Sequence, residues 1–361
     1  QVHVSEDLWQ YQVVKYKGQL YALTRLGFGL TCAPRIMTMI LGKVLSLDPA
    51  VGRGTDHYID DIIVQEPVVK ASRVREHLRR YGFVTKEPES LDGGRVLGIA
   101  LKEATSGKLM MSRGATPLDE VCPPPVVSAT KRGVFSACGL LLGHYPIAGW
   151  LRPYCSYLKR LCGSGSWDGR VDETARKLVV ETIEQAKACD PVRGCWDVDP
   201  NGKATVWTDA SALAMGVVLS VDGSVVEDAS WLRKKSDVLH INVAELEAVG
   251  RGINLAVAWG FKTFTVATDS RTVLSWLTST VECTSRVRTK SSAELLIKRR
   301  LMVIKDVITE LSLSVTFEFV PTNENKADAL TRVPKRCPVS YTHLRAHETM
   351  TGISYAVFCL K

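Results

Sequence analysis

The sequence lacks several patterns that mark common protein classes. Its 10 cysteines include no Cys-x-x-Cys pair and no Cys/His cluster at zinc-binding spacing, so we expect them to be reduced thiols. No apolar run approaches the length of a membrane span, and the first residues show no basic-then-apolar signal pattern. We therefore expect a protein that does not enter a membrane, is not secreted and stays inside the cell, in the cytoplasm or the nucleus.

The chain does contain enough apolar sequence for more than one core. With 361 residues, of which 45% are hydrophobic, its length favours two or three compact units. Its formal charge is +8, from 46 Lys and Arg against 38 Asp and Glu. A basic balance suits a polyanionic partner, although many proteins without such a partner are equally basic.

Beyond Gly202 the apolar pattern changes to an orderly succession of strands and helices. Short runs rich in β-branched residues alternate there with longer segments that have helical periodicity. The predicted strands lie near 204–209, 214–220, 225–232, 263–268 and 315–320, and the predicted helices near 243–259, 270–278, 293–311 and 325–331. This order predicts an α/β domain.

Four acidic residues occupy places where such a domain could bring them together. Asp209 ends the first strand, Glu245 lies near the start of the first helix, Asp269 follows the fourth strand and Asp328 lies in the final helix. Converging carboxylates repel one another unless cations lie between them, and oxygen ligands suit hard divalent cations. Two such ions can promote phosphodiester hydrolysis. Glu247 is an alternative to Glu245.

The segments around these acids resemble the ribonuclease H domains of retroviruses and long-terminal-repeat retrotransposons, over roughly residues 202–333. The matching segments are Thr208-Asp209-Ala210-Ser211, Ala244-Glu245-Leu246-Glu247-Ala248, Thr268-Asp269-Ser270 and Asn325-Lys326-Ala327-Asp328-Ala329-Leu330-Thr331-Arg332. The resemblance implies cleavage of the RNA strand of RNA/DNA hybrids by a two-metal-ion mechanism. It also implies Mg²⁺ as cofactor, with Mn²⁺ as a substitute, and Asp209, Glu245, Asp269 and Asp328 as catalytic metal ligands.

Three residues of the same region are candidates for contacting nucleic acid. They are Ser211, Lys298 and Arg299. A serine near a helix start is as often a cap, and lysine and arginine on a helix are nearly as often a solvated face.

The first hundred residues contain a second set of motifs. Tyr58-Ile59-Asp60-Asp61 lies in an apolar surrounding that favours a hairpin with the carboxylates at its tip. It resembles the polymerase metal-binding motif of reverse transcriptases, and Leu26 to Pro34 resembles the loop and helix beneath the template. The resemblance implies metal binding by Asp60 and Asp61 and nucleic-acid contacts by Gly29 and Arg35.

That polymerase site is expected to be incomplete. Reverse transcriptases need a further aspartate on a strand that would precede Gln1, so we expect an N-terminally truncated fragment without polymerase activity of its own. RNA-directed DNA polymerase activity is then implied for the full-length parent.

The expected fold class is α/β multidomain. A partial reverse transcriptase palm of α+β type is predicted over 1–113, a helical thumb-like region over 114–165 and a connection over 166–201. A ribonuclease H-like α/β domain with a mixed five-stranded sheet is predicted over 202–333. Residues 334–361 are expected to be a disordered or artefactual tail, because Val339 to Thr349 resembles a translated sequencing adaptor.

The leading hypothesis is therefore a retroelement polymerase fragment whose ribonuclease H domain cleaves RNA/DNA hybrids. The alternative is a catalytically inactive, nucleic-acid-binding remnant of a decayed retroelement. The complete set of four carboxylates favours the first hypothesis.

Overall fold

A computed structural model describes residues 2–27, 29–104, 107–113, 118, 129–196, 198–234, 240–281 and 294–332. The predicted tail, 334–361, lies outside these residues. The chain divides after Ser90 into two compact units, which are taken in turn.

In its described residues, the first unit combines two short hairpins, a 3₁₀ helix (Glu6–Tyr11) and three α-helices. Its elements are β1 (Val13–Tyr16), β2 (Gln19–Ala22), α1 (Ala33–Ser46), α2 (Pro49–Arg53), β3 (Thr55–Tyr58), β4 (Asp61–Val64) and α3 (Ala71–Arg80). Leu41 and Leu45 of α1 and Leu78 of α3 meet in its buried core. The first hairpin turns at Lys17 and Gly18, both with positive φ, as is common in a two-residue hairpin turn.

The second unit begins with a small antiparallel sheet and a group of helices. Its first elements are β5 (Arg95–Val96), β6 (Ile99–Glu103), β7 (Leu109–Ser112), α4 (Lys131–Leu142), α5 (Leu151–Leu161), α6 (Glu173–Ala188) and β8 (Gly194–Cys195). The four strands pair in the order β5-β6-β7-β8. The helices α4, α5 and α6 therefore leave from β7 and return to its neighbour β8.

An ion pair joins the two ends of the segment that carries α4, α5 and α6. The buried guanidinium of Arg113, just after β7, donates to both carboxylate oxygens of Asp190 at 2.7 and 3.1 Å. Arg113 also donates to the carbonyl of Leu140 in α4. Paired charges with several hydrogen bonds are the form in which a buried arginine is tolerated.

The rest of the second unit is built on a five-stranded sheet. Its elements are β9 (Ala204–Ala210), β10 (Ala214–Val221), β11 (Ser224–Leu232), α7 (Ile241–Ala258), β12 (Thr263–Thr268), α8 (Arg271–Val281), α9 (Glu294–Glu310) and β13 (Ser314–Phe319). The strand order is β11-β10-β9-β12-β13, with β9, β10 and β11 antiparallel and β9, β12 and β13 parallel. The predicted fold class, including the mixed five-stranded sheet, is confirmed.

The helices and this sheet are joined through a buried carboxylate. Asp228 of β11, with 3% of its surface exposed, accepts hydrogen bonds from the backbone N–H groups of Ala148 and Gly149 and forms an ion pair with Arg152 of α5. Arg152 also donates to the carbonyls of Tyr145 and Pro146. This network satisfies a charge that would be costly to bury alone.

One sequence prediction of local structure is wrong. The final helix predicted over 325–331 is replaced by two 3₁₀ turns, Thr322–Glu324 and Asp328–Leu330. The Asn325 side chain accounts for this difference, since it bonds the backbone of Thr208 and of Ala327 in place of a helical pattern.

None of the described helices is both long enough and apolar enough to cross a membrane.

Two glycines of α7 offer a test of how closely this helix packs on the sheet. A Cβ at Gly252 would lie 2.5 Å from Val206 Cγ1 of β9, whereas a Cβ at Gly250 would have nothing nearer than Ile304 Cγ1 at 3.9 Å. We expect Gly252→Ala to lower the free energy of unfolding by about 1–3 kcal/mol through overpacking. Gly250→Ala should raise it by about 0.5–1 kcal/mol through reduced chain entropy.

Urea unfolding of the full chain and the two variants measures both effects. Equal effects of the two substitutions would contradict the close approach of α7 to β9.

Candidate metal centre

Two of the predicted acids are brought to one sheet edge by strand pairing. The strands β9 and β12 are parallel neighbours, and Thr208 pairs with Thr268. Asp209 and Asp269 are the residues that follow these partners, so the carboxyl ends of both strands present an aspartate at the same edge. Asp209 is buried and Asp269 is half-buried.

The helix α7 supplies the third acid. The ring nitrogen Nδ1 of His240 accepts a hydrogen bond from the backbone of Asn242 at the start of this helix. Val243, Leu246 and Val249 then pack into the core below the sheet, and Glu245, 7% exposed, lies over the end of β9. One carboxylate oxygen from each of Asp209, Glu245 and Asp269 lies within 4.8 Å of the other two.

Burial and mutual repulsion disfavour the charged form of these carboxylates when no cation is bound. Burial raises the pKa of Glu245 to about 8, and the charges of Asp209 and Asp269 add to the effect. Burial also raises the pKa of Asp209 to about 6, against the opposing hydrogen bond from Thr331. The oxygen Oε2 of Glu245 is buried and has no hydrogen-bond partner among the described residues. A buried oxygen without a donor, beside two further carboxylates, fits a hard divalent cation.

The fourth predicted acid lies beside this triad but does not join it. Asp328 is half-buried, and its Oδ1 forms an ion pair with Arg332 four residues later. Thr331 Oγ1 lies against both Asp209 Oδ2 and the carbonyl oxygen of Asp328, which places Asp328 beside Asp209. The structure thus brings three of the four predicted ligands together and leaves the fourth at their border.

The segment that carries Asp328 can approach the sheet because β10 has a glycine at the contact. A Cβ at Gly216 would lie 2.7 Å from Leu330 Cβ and 2.8 Å from the carbonyl oxygen of Ala327. Real Cβ atoms do not come this close, so a larger residue at Gly216 would push the segment away from the sheet.

The alternative ligand, Glu247, forms ion pairs with two arginines instead. Its two carboxylate oxygens accept hydrogen bonds from Arg251 at 2.9 Å and from Arg300 of α9 at 2.7 Å. It therefore links α7 to α9, while Glu245 is the glutamate that meets the aspartates.

The three predicted nucleic-acid contacts of this unit differ in how far their side chains are already engaged. Ser211 Oγ donates to the carbonyl of Thr331 and accepts from the backbone of Leu213 and Ala214, so it holds a turn. Lys298 forms an ion pair with Glu294, and Arg299 is exposed. A role of these residues in nucleic-acid binding stays a prediction.

In the first unit, the predicted polymerase residues lie on exposed backbone. Asp60 occupies the two-residue turn between β3 and β4, and Asp61 begins β4. Ile59, beside them, has a φ of 55°, a conformation that is costly for a β-branched residue. Gly29 has a φ of 86°, and Arg35 is exposed at the start of α1.

Two residues of this centre, Asn325 and Thr331, were given no role from the sequence. Asn325 donates to the carbonyl of Thr208, the residue before Asp209, and Thr331 Oγ1 lies 2.5 Å from Asp209 Oδ2. Their available signal was their place in the motif segment around Asp328, three residues before and three after it.

Comparison with known families gives two matches. Residues 201–331 match a family described as reverse transcriptase-like, and residues 130–188 match a domain of unknown function (DUF7047). The α/β part of the second unit is therefore similar in sequence to that reverse transcriptase-like family. No curated protein matches this chain.

Comparison with solved structures extends the likeness to almost the whole chain. A foamy viral protease-reverse transcriptase in complex with an RNA/DNA hybrid matches 97% of this chain at 15% identity, with a TM-score of 0.63. The same viral protein in complex with double-stranded DNA matches 89% at 15% identity, with a TM-score of 0.60. At this identity the likeness shows the fold alone.

The two foamy viral structures are longer than this chain, which spans 45% of the first and 65% of the second. Ribonuclease H1 from the archaeon Halobacterium salinarum also matches, over 36% of this chain and 94% of its own length, at 20% identity and a TM-score of 0.30.

The raised pKa values predict how stability depends on pH. A carboxyl whose pKa is higher in the folded than in the unfolded chain favours folding when protonated, so its contribution is lost as pH rises. For Asp209 and Glu245 this loss runs from their ordinary values of 3.8 and 4.5 up to about 6 and about 8. We expect the metal-free melting temperature to fall across this range and added Mg²⁺ to restore it, most strongly near pH 8.

A double variant, Asp209→Asn with Glu245→Gln, is the control because its side chains do not titrate. It should lose most of the fall in melting temperature and of the response to Mg²⁺. An unchanged pH profile in the double variant would contradict the assignment.

Proposed function

We propose that this chain is a metal-dependent ribonuclease H that cleaves the RNA strand of RNA/DNA hybrids. The observation that carries the proposal is the triad of two buried carboxylates, Asp209 and Glu245, with the half-buried Asp269. The two aspartates lie at the carboxyl ends of two parallel strands, and Asp328 lies beside the triad. The match of residues 201–331 to the reverse transcriptase-like family supports a role in nucleic-acid processing.

The chemistry of the donor set supports Mg²⁺ as the cofactor, with Mn²⁺ as a substitute. Asp209, Glu245 and Asp269 would hold the ions, and Asp328 would complete the set by exchanging its partner Arg332 for a cation. Bound divalent ions at such a site supply an activated water and stabilise the leaving oxygen of the phosphodiester.

The protein's own contribution is to keep the ligands in place before any ion arrives. The core below β9 and α7 fixes the backbone of Asp209 and Glu245, and the segment from Asn325 to Thr331 is bonded to the sheet on both sides of Asp328. The ligands need little reordering when they bind a cation, which lowers the cost of binding.

The substrate is proposed from the electrostatics and the family likeness together. A polyanionic substrate fits the formal charge of +8, and Lys298, Arg299 and Ser211 are the proposed contacts with its backbone. The foamy viral relative was solved with an RNA/DNA hybrid, which makes this duplex the first to test.

The domain boundaries and the polymerase residues predicted from the sequence are also proposals. We propose a partial palm over 1–113, a thumb-like region over 114–165, a connection over 166–201 and the ribonuclease H-like domain over 202–333. Reverse transcription, with Asp60 and Asp61 as metal ligands and Gly29 and Arg35 near the template, is proposed for a retroelement parent protein and not for this chain.

The proposal is tested by incubating the full chain with a labelled RNA/DNA hybrid and Mg²⁺, with single-stranded RNA and duplex DNA as counter-substrates. We expect cleavage of the RNA strand of the hybrid alone. Asp209→Asn should reduce the rate by at least about 100-fold, since even outer partners of metal ligands are worth about 10- to 100-fold.

Asp222→Asn is the matched control. Asp222 is exposed in the turn between β10 and β11, so the same chemical change there should leave the rate unaltered. A folded chain that binds the hybrid and Mg²⁺ but cleaves nothing would overturn the enzymatic proposal in favour of an inactive binding protein.

A further inference from the structure

The hydroxyl group of Thr331 lies against the carboxylate of Asp209. Thr331 is 1% exposed, and its Oγ1 lies 2.5 Å from Asp209 Oδ2 and 3.0 Å from the carbonyl oxygen of Asp328. A hydroxyl has one proton, and the charged acceptor at the shorter distance receives it. Thr331 is therefore a hydrogen-bond donor to one oxygen of a predicted metal ligand that is 122 residues away.

The backbone around Thr331 is fixed independently of Asp209. Ser211 Oγ donates to the carbonyl of Thr331 at 2.7 Å, and Ser230 Oγ donates to the carbonyl of Leu330 at 2.6 Å. On the other side of Asp328, Asn325 Nδ2 donates to the carbonyl of Thr208 at 2.9 Å. Since these bonds hold the segment to the sheet, the hydroxyl is a fixed point and the carboxylate orients towards it.

We infer that Thr331 is a positioning residue for the metal centre. Its hydroxyl holds Oδ2 of Asp209 and so selects the orientation in which this carboxylate meets Glu245 and Asp269. A carboxylate can accept several hydrogen bonds or ligands, so an occupied Oδ2 still leaves Oδ1 for a cation. The inference rests on the proposed metal-dependent function.

Thr331 also packs through its methyl group, and this structural role must be separated from the hydroxyl's role. Its Cγ2 would lie 3.0 Å from a Cβ at Gly216, so the methyl group fills the space that this glycine leaves. Thr331→Val keeps the shape and removes the hydroxyl, whereas Thr331→Ser keeps the hydroxyl and removes the methyl group. Thr331→Ala, compared with Thr331→Ser, differs by the hydroxyl alone and adds no bulk.

The experiment measures Mg²⁺ binding by the full chain without nucleic acid, as the rise in melting temperature with Mg²⁺ concentration. Hybrid cleavage is measured in parallel. We expect Thr331→Val and Thr331→Ala to raise the apparent Kd for Mg²⁺ by about 10- to 100-fold, the usual range for an outer partner of a ligand. The kcat should fall with it while KM for the hybrid stays within about 3-fold, and Thr331→Ser should retain affinity and rate.

Thr182→Val is the control for the loss of a buried hydroxyl. Thr182 is 0% exposed and donates only within its own helix, to the carbonyl of Leu178, so its loss should leave Mg²⁺ affinity unchanged. Unaltered Mg²⁺ affinity in Thr331→Val, or equal impairment in Thr331→Ser and Thr331→Ala, would overturn the inference.

Failure of the proposed function has a different signature. If Mg²⁺ binding depends on the Thr331 hydroxyl but the unaltered chain does not cleave the hybrid, the positioning role of Thr331 is supported and the proposed ribonuclease activity is contradicted. No response of the unaltered chain to Mg²⁺ or Mn²⁺ would overturn both.

Discussion

The second unit of this chain brings carboxylates together, and its structure has to offset the repulsion between them. Asp209 and Glu245, which are buried, and Asp269, which is half-buried, offer oxygens within 4.8 Å of one another. Without a cation such a group destabilises the fold, so the surrounding structure must hold it together. Parallel pairing of β9 with β12, close packing of α7 at Gly252 and the bonded segment around Asp328 each supply part of that restraint.

The strands of the five-stranded sheet could be predicted from the sequence because their apolar pattern is strong, and so could the acids at their ends. The strand predicted at 263–268 coincides with β12, and the other elements of the five-stranded sheet begin and end within about two residues of their predicted limits. The aspartates Asp209 and Asp269 could be placed because a parallel pair delivers both to one edge. Glu245 was favoured over Glu247 by its place in the motif, and Glu247 stayed an alternative because both lie on the first turns of the same helix.

What the sequence could not reveal depends on contacts between distant residues. The hydrogen bond of Thr331 with Asp209 spans 122 positions, and the bond of Asp228 with Gly149 spans 79. Neither has a local pattern, because a threonine or an aspartate at such a place is ordinary in a turn or strand. The final helix was mispredicted for a related reason: Asn325 bonds to the backbone of β9, a partner that local propensity does not include.

The separation between Asp209 and Thr331 also orders events during synthesis. Domains of a growing chain generally fold as units, the N-terminal ones first. The hydrogen bond between Asp209 and Thr331 joins residues 122 positions apart, so it can form only after Thr331 has been synthesised. A half-made chain therefore carries Asp209, Glu245 and Asp269 without this bond.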